Sequence, residues 1–157
     1  MRTIIILCLL TFGFLANANP VHKINACVTN LTRAEAIEGN SWKVWRPNIS
    51  PVRATLIFDD SITPTADIVL GQAKLGFGEA LPLHFHEQTE TYRIISGEGL
   101  MTLGDQTFVV RAGDYVFIPS NYPHQIIGNS EPEELWFEFT FAASGLSEVE
   151  YIFLGTE

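Results

Sequence analysis

Residues 78–97 read GEALPLHFHEQTETYRIISG, and the spacing of histidine and glutamate within them decides the reading of the chain. In an extended strand, side chains two apart leave the same face. His84 and His86 therefore point together, and Glu90 and Tyr92 join them if the chain stays extended or resumes after a short turn at Glu87 to Thr89. Two imidazoles and a carboxylate on one face make most of a metal-donor set. His124 completes it: it follows Pro119-Ser120-Asn121-Tyr122-Pro123, a turn whose two prolines fix backbone torsions and aim the next strand's first side chain at the other three. Any one of these histidines alone reads as an ordinary half-buried residue. Jointly they do not, because burying three imidazoles and a carboxylate without a charge partner is costly and the nearby cation, Arg93, falls on the odd side of its strand. Mixed nitrogen and oxygen donors suit one divalent first-row metal (Fe, Mn, Ni, Co, Cu or Zn) better than Ca or Mg.

Outward from this stretch, short runs rich in Val, Ile, Leu, Phe and Tyr alternate with Gly, Pro, Asn and Asp, the pattern of an all-β barrel or sandwich. Strands are predicted at Trp42 to Trp45, Val52 to Asp59, Ala66 to Leu75, Leu81 to His86, Glu90 to Ser96 and Gly99 to Leu103. Further strands follow at Gln106 to Arg111, Tyr115 to Ile118, His124 to Gly128, Leu135 to Phe141 and Val149 to Leu154. Gly104-Asp105 separates two apolar runs as a tight hairpin turn does. No linker divides the 157 residues, so a single domain over 41–157 is expected, preceded by a polar arm at 19–40 with a short helical piece at Thr32 to Glu38.

The first eighteen residues join a basic Arg2, an apolar run from Ile4 to Leu15 and a closing Ala16-Asn17-Ala18. That is the build of a signal peptide cleaved after Ala18, which implies a secreted or periplasmic protein. The run is short of the ~20 apolar residues that span a bilayer, and no later segment anchors the chain, so no membrane association is expected once it is removed. Cys8 leaves with the signal, and Cys27 is left without an intramolecular partner. Apolar residues at 46% and charged ones at 17% exclude a disordered chain. A net charge of -9, with nine basic residues scattered against eighteen acidic ones, argues against nucleic acid as a partner.

The chain resembles the cupin superfamily. The first cupin motif, G-x5-H-x-H-x3-E-x6-G, is matched by Gly78, His84, His86, Glu90 and Gly97, and the second, G-x5-P-x-G-x2-H-x3-N, by Gly113, Pro119 and His124. It departs at Asn121, where glycine is usual, and at Gly128, where asparagine is usual. Asn tolerates positive φ better than most residues, so Asn121 suits the same turn. The resemblance implies a single double-stranded β-helix of jelly-roll type, with His84, His86, Glu90 and His124 as metal ligands. The fifteen residues between Gly97 and Gly113 make a short segment, similar to that of microbial single-domain cupins.

Four protein ligands on a six-coordinate metal leave two adjacent positions, an arrangement for Lewis-acid or oxygen-activating chemistry on a small polar metabolite. Tyr92, two residues beyond Glu90 on the same face, is the candidate base. The run H-x-H-x3-E-x-Y is similar to that in cupin lyases acting on dimethylsulfoniopropionate, where the tyrosine at this position is the proposed base. A tyrosine also packs well inside a barrel, and that reading stands beside the catalytic one. The expected activity is that of a metal-dependent lyase, isomerase or dioxygenase; the alternative is a non-catalytic extracytoplasmic protein that binds a metabolite or a metal. Weaker pocket candidates are Trp136 and Glu138, whose strand face is undecided, Tyr122 and Gln125 beside His124, and the cations Arg53 and Lys74. The resemblance further implies a homodimer joined through the N-terminal arm.

Overall fold

The computed structural model describes residues 42–46 and 48–155. The expected signal peptide, the arm with its helical piece, and Cys27 lie outside the described residues.

The described chain is built of antiparallel strands: β1 (Lys43–Val44), β2 (Arg53–Phe58), β3 (Val69–Leu75), β4 (Ala80–Phe85), β5 (Glu90–Ser96), β6 (Glu98–Leu103), β7 (Gln106–Arg111), β8 (Tyr115–Ile118), β9 (His124–Gly128), β10 (Leu135–Phe141) and β11 (Ile152–Phe153). They form two sheets, one ordered β1-β2-β3-β10-β5-β8 and the other β11-β4-β9-β6-β7. The result is the all-β jelly roll that the sequence implies. Among the described residues no helix is long and apolar enough to cross a membrane.

The core lies between the sheets because each central strand alternates. Leu135, Phe137, Phe139 and Phe141 are buried on β10 while Trp136, Glu138 and Thr140 are only partly covered, which decides the face that the sequence left open. Val69, Ala73 and Leu75 on β3 and Tyr92 and Ile94 on β5 complete the same inner face, with Ile126 and Met101 opposite. Burying an aromatic or branched aliphatic side chain contributes about 1.5–3 kcal/mol, so these rows hold the sheets together. Trp136 and Glu138 thus lie outside the barrel. Trp136 meets Trp42 edge-on at 6.4 Å, and the Lys74 ammonium lies 4.6 Å from each ring. Arg53 pairs with Glu134.

The hairpin turn at Gly104-Asp105 is present, with Leu103 opposite Gln106. β1 and β2 each lose one predicted residue at either end, and β3 and β11 are shortened further. β3 begins at Val69 because Asp67, at φ 70, breaks the extended chain before it. The last strand shrinks to Ile152–Phe153 because a 3-10 turn at Leu146–Glu148 precedes it and Val149 tucks into the core.

Candidate metal centre

β4 does not run evenly. Its register against β9 shifts between Leu81, opposite Ile126, and His84, opposite His124. The extra residue falls at Pro82-Leu83, where proline has no N–H for the ladder, the usual setting of a bulge. Through it Leu81 and His84 both turn inward although they are three apart. His84 lies near the end of β4, His86 just beyond it, Glu90 opens β5 after the turn, and His124 opens β9. The structure thus brings all four residues together, each almost completely buried.

The ligating atoms of His84, His86 and His124 lie within 4.8 Å of one another. The His84 and His124 ring centroids are 4.1 Å apart, and His86 stands 5.0 Å from His124 and 5.7 Å from His84. Each ring is held by its Nδ1: His84 by the Pro82 carbonyl at 2.7 Å, His86 by that of Gln88 at 2.9 Å, His124 by that of Tyr122 at 2.9 Å. A carbonyl only accepts, so Nδ1 carries a hydrogen in all three and the Nε2 atoms turn inward. Nδ1 bonds of this kind are what orient histidines for a metal. Glu90 Oε2 approaches both His86 Nε2 and His124 Nε2 at 3.2 Å, but the His124 contact is off the line of a hydrogen bond. His84 Nε2 has no hydrogen-bond partner either. Buried nitrogens aimed at one point, with no donor to satisfy them, fit a cation and fit little else.

The electrostatics agree. Burial pushes the Glu90 carboxyl up, but its contacts with His124 and His86 outweigh this and hold it below the usual carboxylate range. Burial, and then the neighbouring His124, lowers His84 to about 3, so that ring is neutral and free to ligate. Tyr92 lies one turn of the pleat beyond Glu90, wholly buried, with its hydroxyl close to the Glu90 carboxylate. Burial, followed by the Glu90 charge and Tyr151, pushes its phenol well above 10.

Beside this cluster is a narrow cavity lined by Glu90, Tyr92, Trp45, Phe139 and Tyr151. Tyr151 is the residue that the sequence did not mark. It stacks on His84 at 4.9 Å and meets His86 edge-on at 5.4 Å. It belongs to neither motif. The one hint is alternation, since Tyr151 and Phe153 flank the outward Ile152, but only the pairing of β11 with β4, Phe153 opposite His84, puts them inside. Two weaker candidates lie aside: Tyr122 is exposed, its hydroxyl over the Gly104 turn, and half-buried Gln125 pairs with Thr102.

Both departures from the second motif have a physical setting. Asn121 takes φ 58, the left-handed conformation expected of it. Gly128 is required by close approach: a Cβ there would lie 2.2 Å from the Gly76 carbonyl oxygen, so asparagine does not fit.

Residues 72–139 match the family model described as Cupin domain. Dimethylsulfoniopropionate lyase DddW of Ruegeria pomeroyi is 31% identical over 107 residues, which are 68% of this chain and 69% of that protein. Among solved structures, the polyketide cyclase RemF of Streptomyces resistomycificus shares the fold with a TM-score of 0.65 at 19% identity, over 80% of this chain and 88% of that one. A variant of oxalate decarboxylase from B. subtilis gives a TM-score of 0.57 at 25% identity over 66% of this chain; the match spans only 28% of that longer chain. Another matched structure of the same decarboxylase concerns its Mn(II) centers.

Proposed function

The chain belongs to the cupin family, and from that premise we propose that it is a metalloenzyme in which His84, His86, Glu90 and His124 hold one divalent first-row metal and act on a small polar metabolite. The observation that carries this is the orientation of the imidazoles: three Nδ1 atoms committed to carbonyls, three Nε2 atoms facing inward with Glu90. Manganese, the metal named for oxalate decarboxylase, belongs to the range such donors accept. A bound divalent cation would polarise a carboxylate or carbonyl oxygen and acidify a neighbouring C–H.

The chain's own part in the chemistry falls to Tyr92. Its hydroxyl stands at the cavity wall beside the Glu90 carboxylate. A phenol so placed has its proton and lone pairs available to a ligand, and it is the group we assign to move a proton to or from the substrate carbon. The Glu90 charge is the second cause, after burial, of its raised pKa, so compensating that carboxylate makes the phenol easier to ionise. Phe137 and Phe139 help to wall off water. Likeness to a dimethylsulfoniopropionate lyase favours lyase chemistry over isomerase or dioxygenase chemistry.

Protein loaded with Fe, Mn, Ni, Co or Zn is expected to turn over a member of a panel of small acids, diketones and sulfonium compounds. No turnover with any metal would count against the enzyme reading. The second reading, a non-catalytic binder, is favoured by the same raised phenol pKa, since a tyrosine that keeps its proton is a poor base as it stands. Tyr92→Phe separates the two: it abolishes turnover in an enzyme and only tunes affinity in a binder.

We further propose export directed by residues 1–18 and dimerisation through the arm at 19–40. N-terminal sequencing of exported protein tests the first, with Asn19 as the expected start. Light scattering on a truncation beginning at Ser41 tests the second, and an unchanged oligomer would end it.

A further inference from the structure

Arg46, two residues beyond β1, takes φ 99, a conformation that residues other than glycine rarely adopt. Its backbone is pinned there, its carbonyl accepting from Ile49 N at 2.9 Å and Ser50 N at 3.0 Å. The side chain lies over aromatic rings: its guanidinium carbon is 4.7 Å from the centroid of Trp45, 5.4 Å from Tyr151 and 5.8 Å from Phe153. Two of these rings also touch the metal-site histidine His84, Tyr151 at 4.9 Å and Phe153 at 5.5 Å. Phe153 is inward-facing, opposite His84 on the ladder, so the guanidinium covers the inner side of the last strand, where Trp45 and Tyr151 line the cavity.

Stacking uses only the flat face of a guanidinium. The N–H groups lie in its plane and remain available as a fork for a carboxylate. Arg53 and Arg111 spend theirs on Glu134 and Glu98. Among the described residues no carboxylate pairs with Arg46 and no hydrogen bond takes up its guanidinium, although the chain carries a net charge of -9. A cation that no described carboxylate neutralises, held on a strained backbone position over two rings that line the cavity, is the form of a receptor for an anion.

We propose that Arg46 is the specificity determinant of the cavity and that the substrate is a small two-ended metabolite, one end of which is a carboxylate bound by the Arg46 fork. The other, reacting end lies against Tyr92 and the metal centre; this part rests on the function proposed above. Glu90, the acidic group on the cavity wall, repels an anion, which makes Arg46 decide which end of the molecule enters first.

Calorimetric titration of the full chain with succinate and with its neutral diamide tests this, run on metal-loaded protein and on protein stripped by chelator. Arg46→Gly suits the backbone torsion and should keep the fold, while Arg46→Lys keeps the charge and loses the fork. Succinate binding is expected to weaken tenfold or more in Arg46→Gly and by a smaller factor in Arg46→Lys, with the diamide unaffected by either. The loss should appear in stripped protein too. Equal succinate affinity in wild type and both variants, or no succinate binding to wild type in either form, overturns the proposal. Failure of the metal reading looks different: elemental analysis then finds no metal, whatever Arg46 does.

Discussion

His84 and His124 face each other directly across the β4–β9 ladder, and each gives its Nδ1 hydrogen to the carbonyl two residues before it, that of Pro82 in one case and Tyr122 in the other. The two rings are set by the same local device on neighbouring strands. Their orientation is therefore a property of the backbone and does not wait on a bound ion.

Metal content follows from this. Elemental analysis of wild-type protein is expected to find one divalent metal per chain, and His84→Ala with His86→Ala is expected to lose it while the barrel persists. With free metal at a hundredfold excess over its Kd, the ion stabilises the fold by about 2.7 kcal/mol, read as a fall in Tm when chelator is added. Metal undiminished in the double variant would sink the assignment.

Acid should weaken the metal-free protein. His84 is lowered from 6.5 to about 3 by burial and by His124, so between those values the unfolded chain takes a proton that the folded chain refuses. Stability is then complete above about pH 6.5 and declines as the pH falls toward 3, by a few kcal/mol in all. Glu90, also held low, adds to the loss as the pH falls through the carboxylate range. Urea unfolding in chelator from neutral to acid pH measures this, and a flat profile would contradict it.

Tyr92→Phe has an unusual pair of expected effects. Among the described residues the buried hydroxyl makes no well-formed hydrogen bond, so removing it should cost little and Tm should hold or rise slightly. Turnover should fall by about 10²–10⁴ with metal content intact. A drop in Tm would mean that the hydroxyl has a partner in the folded protein.

Gly128→Ala tests the tight crossing of β9 by the segment after β3. Its new methyl would press on the Gly76 carbonyl, which belongs to backbone and has little room to yield. Destabilisation of about 1–3 kcal/mol or more is expected in thermal or urea unfolding. Unchanged stability would show that the two segments separate readily.

Much of this was legible in the sequence. β5, β7, β8, β9 and β10 run as predicted, because Gly, Pro and Asn punctuate them and their residues suit strands. The four candidate ligands were legible through their spacing. What was not legible depends on contacts distant in sequence. The inner face of β10 was undecided because both of its faces carry aromatic residues, Trp136 on one and Phe137 and Phe139 on the other. The bulge at Pro82-Leu83 shows only in the register of β4 against β9, and Tyr151 comes to the site only because β11 pairs with β4. Arg53 and Lys74 found partners, Glu134 and two tryptophans, that no local pattern announces.

The turn before His124 is sewn on both sides by main chain: Asn121 N donates to the His86 carbonyl at 2.8 Å, and Gly104 N to that of Pro123 at 2.8 Å. Loops that lie far apart along the polypeptide therefore move as a single mechanical piece. Circular permutation that opens the chain at residues 86–90 or 104–105 would tear this piece, whereas new termini at the exposed 131–133 stretch would leave it whole.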